Sequence, residues 1–187
     1  MGDMWFGVAC DGEKVYATTF ASNKENALTN LKESVSSEAL RAESEPCELA
    51  ERVLSTLKDV YDGKDVEVDF PFAWKYLSKY AERVIKTVCM IPVGYVSSYG
   101  AVAKAAGGSP RAVGRVMATN PFPPICPCHR VISSDCTLGG YGGGLALKLA
   151  FLKREKRGYA SEREIPIGTE KLRIFPVEFA LKKAEKG

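Results

Sequence analysis

Pro127-Cys128-His129-Arg130-Val131 is the stretch that decides how this chain is read, because it sets a thiol beside the one histidine in 187 residues. Asn120-Pro121-Phe122-Pro123-Pro124 precedes it, and a glycine cluster from Gly139 to Gly144 follows. Prolines fix φ and glycines relax it, so this spacing predicts an irregular backbone that presents Cys128, with little room for helix. A thiol attacks only as thiolate, and an unperturbed cysteine ionises near a pKa of about 8.5. Neighbours in an extended segment point to opposite faces, so His129 is expected to reach Cys128 through a turn or a bridging water. A carboxylate behind the imidazole would fix its tautomer. Glu155, on a helix expected from Leu145 to Arg157, is one candidate, and spacing alone does not separate it from other acids. Without further signals, a buried cysteine beside a structurally satisfied histidine is the better explanation of the pair.

The rest of the composition sets bounds. Hydrophobic residues make up 45% and charged residues 26%, as in an ordinary globular protein. The net charge of +3 permits a polyanionic partner without resembling a histone-like coat. Acids outnumber bases from Met1 to Asp69 and bases dominate from Phe70 onward, so a polyanion would meet the second half. No apolar run approaches the roughly 18 residues of a membrane span, and Met1-Gly2-Asp3-Met4-Trp5 lacks the basic and apolar regions of a signal peptide. A cytoplasmic protein is expected, nucleoid-associated in a prokaryote, with no membrane partner. The six cysteines form no C-x-x-C, and one histidine leaves no four-ligand zinc set, so no metal is expected. A disulfide between Cys10 and Cys47 is conceivable, but nothing in the sequence selects it.

The pattern divides into two parts, an α+β unit over residues 1–69 and a mostly helical unit over 70–187. Residues 4–10 and 13–21 read as strands around the Asp11-Gly12 turn. Ser22-Asn23-Lys24-Glu25 has capping-box spacing before Ala27, Leu28, Leu31 and Val35. Pro46 suits the first turn of a helix whose apolar face is Leu49, Val53, Leu54, Leu57 and Val60. A short strand around Val66-Glu67-Val68 is expected to complete the unit. Trp74, Leu77, Tyr80, Ala81, Val84, Ile85 and Val88 then mark one long amphipathic helix. Two short helices follow, Tyr99 to Ala106 and, after Gly107-Gly108, one capped by Ser109 with Pro110 in its first turn and running to Ala118. Such a pair is a helix-turn-helix candidate. On its second helix Ala112, Gly114 and Ala118 are small, while Arg111 and Arg115 lie four apart on one face. Small residues let a helix approach a groove, and the arginines can meet phosphate or enter the duplex. The apolar residues after Gly158, in Ile165-Pro166-Ile167 and Phe175-Pro176-Val177, imply docking at no identifiable place.

These elements together resemble a known family. The stretch from Ile91 to Gly158 is similar to the carboxy-terminal domain of the O6-alkylguanine-DNA alkyltransferases, the methylated-DNA–protein-cysteine methyltransferases. The resemblance rests on Pro92-Val93-Gly94, Ser98-Tyr99, Ser109-Pro110-Arg111-Ala112-Val113-Gly114 and Asn120-Pro121. It continues through Pro127-Cys128-His129-Arg130-Val131, Gly140-Tyr141-Gly142-Gly143-Gly144-Leu145, Lys148 and Glu155, in family order. The pentad is the most specific of these.

The resemblance implies a fold with an active-site cysteine loop and a helix-turn-helix, acting as a monomer on double-stranded DNA through the minor groove. It implies that Cys128 takes the alkyl group from a flipped O6-alkylguanine, with His129 as base through a water and Glu155 orienting it. Tyr99 would donate toward guanine N3 as the leaving group departs. The carbonyls of Cys128 and Val131 would accept from the exocyclic amine. Arg111 would occupy the vacated stack, while Ala112, Gly114 and Arg115 meet DNA. Asn120 would tie the turn before the cysteine to the helix pair, Tyr141 would border the pocket, and Arg130 would support it. Many members carry serine where this chain has Gly142. A thioether is stable and nothing is arranged to remove the alkyl group, so one transfer per chain and no cofactor are expected. A lesion sensor without repair is the main rival, and it lacks the acceptor thiol that Cys128 supplies.

Overall fold

Asp11 turns the chain before any packing is needed: its Oδ1 accepts from the backbone N–H of Glu13 at 2.9 Å and of Lys14 at 2.7 Å, and Gly12 follows at φ +88°. The turn joins β1 (Trp5–Cys10) and β2 (Val15–Ala21) as an antiparallel pair in register from Trp5↔Ala21 to Cys10↔Val15. The computed structural model describes residues 4–35 and 47–186. Helix α1 (Lys24–Ser34) is capped by Asn23, whose Oδ1 accepts from Asn26 N–H at 2.8 Å, so the cap falls one residue after the expected Ser22. Only Ala27 of α1 is buried, and Leu28 is exposed. Helix α2 (Glu48–Tyr61) buries Leu49, Val53, Leu57 and Val60, as its periodicity predicts. The expected role of Pro46 lies outside the described residues. The Sγ atoms of Cys10 and Cys47 stand 3.8 Å apart, and both cysteines are free.

Two expectations for the following segment fail for identifiable reasons. Val66–Val68 forms no strand: its alternation offers one apolar face, but that face is not covered and Val68 stays exposed. The edge of β2 pairs instead with Phe72, where Val15 N–H bonds Pro71 O at 3.0 Å and Ala73 N–H bonds Val15 O at 2.9 Å. The long helix expected from Trp74 is broken. Trp74–Tyr76 make a single 3-10 turn, and α3 (Lys79–Cys89) starts afresh with Ser78 Oγ accepting from Ala81 N–H. Trp74 turns aside to pack edge-on against Phe72 and Phe122, at centroid distances of 5.3 and 5.5 Å.

Beyond α3 the two short helices have the expected bounds. A short strand, β3 (Tyr95–Ser98), leads into α4 (Tyr99–Ala106), which is capped by Ser98. Helix α5 (Pro110–Ala118) is capped by Ser109. Between them Gly108 sits at φ +99°, where a Cβ would also lie 2.5 Å from the Tyr80 hydroxyl, so both conformation and space require glycine.

The second part has more helix than strand, and it also carries a four-stranded sheet that the sequence reading did not include, in the order β4-β3-β6-β5. Strand β4 (Val131–Ile132) lies parallel to β3. The segment that could not be placed from sequence forms a hairpin, β5 (Arg163–Ile167) and β6 (Glu170–Pro176), whose second strand pairs antiparallel with β3. Helix α7 (Val177–Ala184) ends the described chain. Helix α6 (Leu145–Arg154) stops before Glu155, earlier than expected. The reason is Glu178, whose Oε1 takes the N–H groups of Arg157 at 3.2 Å and Gly158 at 2.5 Å, so these donors leave the helical ladder. No described helix is long and apolar enough to cross a membrane.

One buried cluster runs through both parts, with Val15, Leu49, Val53 and Leu57 continuous with Val84, Ile85, Val88, Val102, Val113, Phe122, Leu172 and Ile174. Ile174 is completely buried. Its truncation to alanine is expected to cost about 2–5 kcal/mol, read as a lower denaturant midpoint at unchanged m-value.

Candidate active site

Cys128 stands on a 3-10 turn, Cys128–Arg130, that the Asn120–Cys126 loop holds in place. The Asn120 side chain spans that loop, its Nδ2 donating to Cys126 O at 3.0 Å and its Oδ1 accepting from Phe122 N–H at 3.0 Å. From the other side, Thr18 on β2 donates through its backbone N–H to Pro121 O and through its hydroxyl to Pro123 O, each at 2.8 Å. The amino-terminal hairpin thus clamps the approach to the cysteine. This explains why Thr18 is buried against the alternation of its strand.

The thiol opens on a cavity of about 460 Å³ lined by Tyr99, Pro110, Gly114, Met117, Tyr141 and Gly142 among others. Helix α5 therefore forms one wall of the cavity while Arg111 and Arg115 on it stay exposed and Ala112 is half-buried. The Tyr99 hydroxyl donates to Gly140 O at 3.3 Å across the mouth. Burial, together with the nearby Cys128, pushes the Tyr99 hydroxyl pKa up, so it keeps its proton. The buried Tyr141 hydroxyl has no hydrogen-bond partner among the described residues. Its pKa too is raised, first by burial and then by Cys128.

Behind the thiol lies a fully buried ionic cluster. His129 Nε2 is 2.8 Å from Glu155 Oε1. Arg130 grips the same carboxylate, Nε reaching Oε2 at 3.0 Å and Nη2 reaching Oε1 at 2.9 Å, while its Nη1 donates to Ile91 O at 2.6 Å. Burial alone would raise the Glu155 pKa, but the charges and hydrogen bonds of His129 and Arg130 prevail and bring it down to about 2. An ionised carboxylate only accepts, so Nε2 carries the imidazole proton. Nδ1, buried and without a partner among the described residues, is left as the basic lone pair. Burial holds the His129 pKa below its ordinary value against the pull of Glu155, so the ring is neutral at rest. Burial also raises the Cys128 pKa, with the Asn120 amide and the Lys148 charge acting the other way. The resting pair is thus thiol and neutral imidazole, one proton transfer away from a nucleophile.

The structure brings Cys128, Tyr99, Tyr141, Gly142 and Gly114 together at the cavity and sets His129 and Glu155 behind it. Arg130 does not line this cavity; it anchors Glu155 from the rear. Val131 contributes its carbonyl, which accepts from Lys148 Nζ at 2.6 Å and retains one free lone pair. The Cys128 carbonyl likewise accepts from Val131 N–H. Sequence reasoning assigned no role to Lys148, whose buried ammonium also donates to Gly140 O at 3.3 Å. Burial lowers the Lys148 pKa to about 8. A lysine on the apolar side of α6 was the available signal. Among the described residues no group of His, Cys, Asp and Glu is arranged to hold a metal ion.

Comparison with known proteins follows the same residues. The family description "6-O-methylguanine DNA methyltransferase, DNA binding domain" matches residues 79–157. A methylated-DNA–protein-cysteine methyltransferase of Methanocaldococcus jannaschii is 30% identical over 159 residues, 85% of this chain and 92% of that protein. One from Methanothermobacter thermautotrophicus is 39% identical over 114 residues, 60% of this chain and 65% of its own length, so the chain matches just under two thirds of that relative. A DNA base-flipping protein of Thermus thermophilus is 38% identical over 57% of this chain and 74% of its own. Among solved structures, O6-methylguanine-DNA methyltransferase from Pyrococcus kodakaraensis superposes with TM-score 0.65 at 30% identity, covering 81% of this chain and 91% of that one. Mycobacterium tuberculosis OGT in complex with DNA gives 0.59 at 28% identity, covering 80% and 84%.

The Glu155 cluster makes an acid-stability prediction. A carboxyl at about 2 when folded, against an ordinary 4.5, contributes stability that is complete above about 4.5 and is lost as the pH falls toward 2. Glu155→Gln should remove that part of the acid transition. It should also cost about 3–5 kcal/mol near neutrality, because Arg130 is left buried without its counter-charge. Urea titrations of both proteins across acid and neutral pH check this.

Proposed function

The chain belongs to the O6-alkylguanine-DNA alkyltransferase family, the methylated-DNA–protein-cysteine methyltransferases, and from that premise we propose that it repairs DNA by moving the alkyl group of O6-alkylguanine onto Cys128. The observation that carries the reading is a thiol at the floor of a base-sized cavity, with one wall formed by the helix bearing Arg111 and Arg115. A partnerless basic nitrogen on the adjacent buried His129 completes it.

In this reading α4 and α5 form a helix-turn-helix set in the minor groove of double-stranded DNA. Ala112 and Gly114 allow close approach, and Arg115 meets the backbone. Arg111 fills the stack from which the damaged base has turned, an extrusion that costs a few kcal/mol and least for a poorly paired base. In the cavity the carbonyls of Cys128 and Val131 each offer a remaining lone pair to the guanine amine. The Cys128 proton passes through a water to His129 Nδ1, and Glu155 stabilises the imidazolium that results. The Sγ–C bond forms as the C–O6 bond breaks, and the electron pair left on the purine is met by a proton or hydrogen bond from Tyr99 at N3. Lys148 and Asn120 favour the thiolate, while Arg130 keeps Glu155 charged. The product is a neutral thioether with no group positioned to remove it, so each monomer acts once and needs no cofactor.

Labelled methyl transfer from O6-methylguanine in duplex DNA tests the proposal. At rising substrate excess the parent should plateau at one methyl per chain, and Cys128→Ser should take none. Lesion binding without transfer would favour a damage sensor, and continued turnover would contradict the mechanism.

Gly142 supplies a second test. A Cβ built there meets nothing within 4 Å, so Gly142→Ser fits and adds a hydroxyl beside guanine O6. One such bond is worth about 1 kcal/mol. The variant should be inactivated by a free-base pseudosubstrate at roughly fivefold lower concentration than the parent; equal sensitivity would refute that role.

A further inference from the structure

The imidazole of His129 is held on two sides by one turn of α6. Glu155 meets its edge, and Phe151, one turn earlier, stacks on its face with ring centroids 4.5 Å apart at 18°. Phe151 is in turn boxed by two rings from the amino-terminal half. Phe20 on β2 meets it at 5.3 Å and 75°, and Tyr61 at the end of α2 meets it at 5.5 Å and 90°. Tyr61 is itself fixed, edge-on to Phe6 at 5.6 Å and beneath the Arg154 guanidinium at 4.2 Å, with Arg154 Nη2 donating to its hydroxyl at 3.2 Å. The next turn is tied down as well. Arg157 donates to Gly63 O, and a Cβ at Gly63 would come within 2.6 Å of Arg154 O. The end of α2 thus abuts the segment that carries both contacts to the histidine.

We propose that Tyr61 and Phe20, acting through Phe151, are positioning residues for His129, so that the amino-terminal half sets the orientation of the catalytic base. The proposal rests on the reading of His129 as proton acceptor. It gives that half a part in the reaction beyond bordering the cleft beside Cys128, where Thr18 and Phe20 line a second cavity with Cys128, Tyr141 and Gly142. Edge-to-face aromatic pairs have narrow geometric preferences, so two rings at right angles to Phe151 define its plane and, by stacking, that of the imidazole. They also keep water from the ring. The charged groups facing His129 are Glu155, Arg130 and Lys148, and none of these is altered by changing Tyr61 or Phe20. Loss of either wall admits solvent, raises the imidazole pKa toward its ordinary value and protonates the base at a higher pH. Transfer would then fail earlier on acidification.

His129 is the sole histidine, so its ring signals in nitrogen-edited NMR need no assignment. The experiment titrates that ring, and in parallel measures single-turnover methyl transfer and DNA affinity, in parent, Phe20→Leu, Tyr61→Leu and Tyr61→Phe. In the two leucine variants the imidazole pKa should rise by about half a unit or more. The acid limb of transfer should move with it, and the rate constant should fall roughly tenfold at unchanged DNA affinity. Tyr61→Phe, which keeps the ring, should behave as the parent. If Tyr61→Leu does not fold, Phe20→Leu removes a half-buried wall and leaves α2 intact. An unchanged His129 titration in the folded leucine variants overturns the proposal. Absence of transfer from every protein, parent included, would instead defeat the alkyl-transfer reading, while the titration would still decide the brace.

Discussion

A single buried carboxylate governs this molecule. Glu155 satisfies two partners from the turn that bears the thiol, His129 and Arg130, and both it and His129 are shut off from water. Desolvating three polar side chains at once is costly, and the Coulombic gain offsets it only when geometry is tight and every donor is used. Arg130 meets that condition by placing Nε and Nη2 on the carboxylate and Nη1 on Ile91 O. The one buried atom of the cluster left without a partner is Nδ1 of His129. In the proposed reaction that atom takes the thiol proton through a water.

The same cluster explains why the backbone around it is so heavily constrained. Its carboxylate comes from the residue that ends α6 and its cation, Arg130, from a turn 25 residues earlier, so two irregular segments must be held to within a hydrogen-bond length. Glu178 shapes the segment after Glu155, Asn120 spans the loop before Cys128, and Thr18 clamps that loop from the amino-terminal hairpin. None of these three need touch a substrate. Each binds backbone groups that helix or sheet would otherwise satisfy, which permits irregular structure in a buried place.

Much of this was legible in the chain, and the reasons are local. The bounds of α4 and α5 follow from Ser98, Ser109, Pro110 and the glycine pair, because caps and breakers act within one turn. The Cys128-His129 pair was visible for the same reason. What escaped was set at a distance. Val66–Val68 carries strand-formers on one face, but nothing covers that face and Val68 stays exposed. The β5–β6 hairpin pairs with β3 some 76 residues earlier, as Ser97 Oγ bonding Arg173 O shows, and a five-residue alternation interrupted by Pro166 does not announce such a partner. The break at Leu77–Ser78 was hidden because Trp74 fits a helical period as well as it fits the aromatic cluster that claims it. Glu155 could be proposed but not chosen, since spacing does not show which acid a histidine will meet.

The two arginines of α5 and the buried Arg130 show how one residue type is put to opposite uses. Arg111 and Arg115 are exposed on a helix whose other face is the cavity wall, so their charges are free to meet a polyanion at no desolvation cost in the unbound state. Arg130 is desolvated permanently and serves only the interior. The difference lies in what each can pair with: a carboxylate of matching geometry is present for Arg130, while no acid on α5 or in its first turn neutralises the other two. The helix thus shows two solvated guanidinium groups beside a cavity, over a thiol that burial keeps protonated. In the proposed reaction the charge meets a polyanion and the cavity takes its flat base, while the unpaired nitrogen takes the thiol proton. That convergence ties the fold to the chemistry more firmly than any one of the residues does alone.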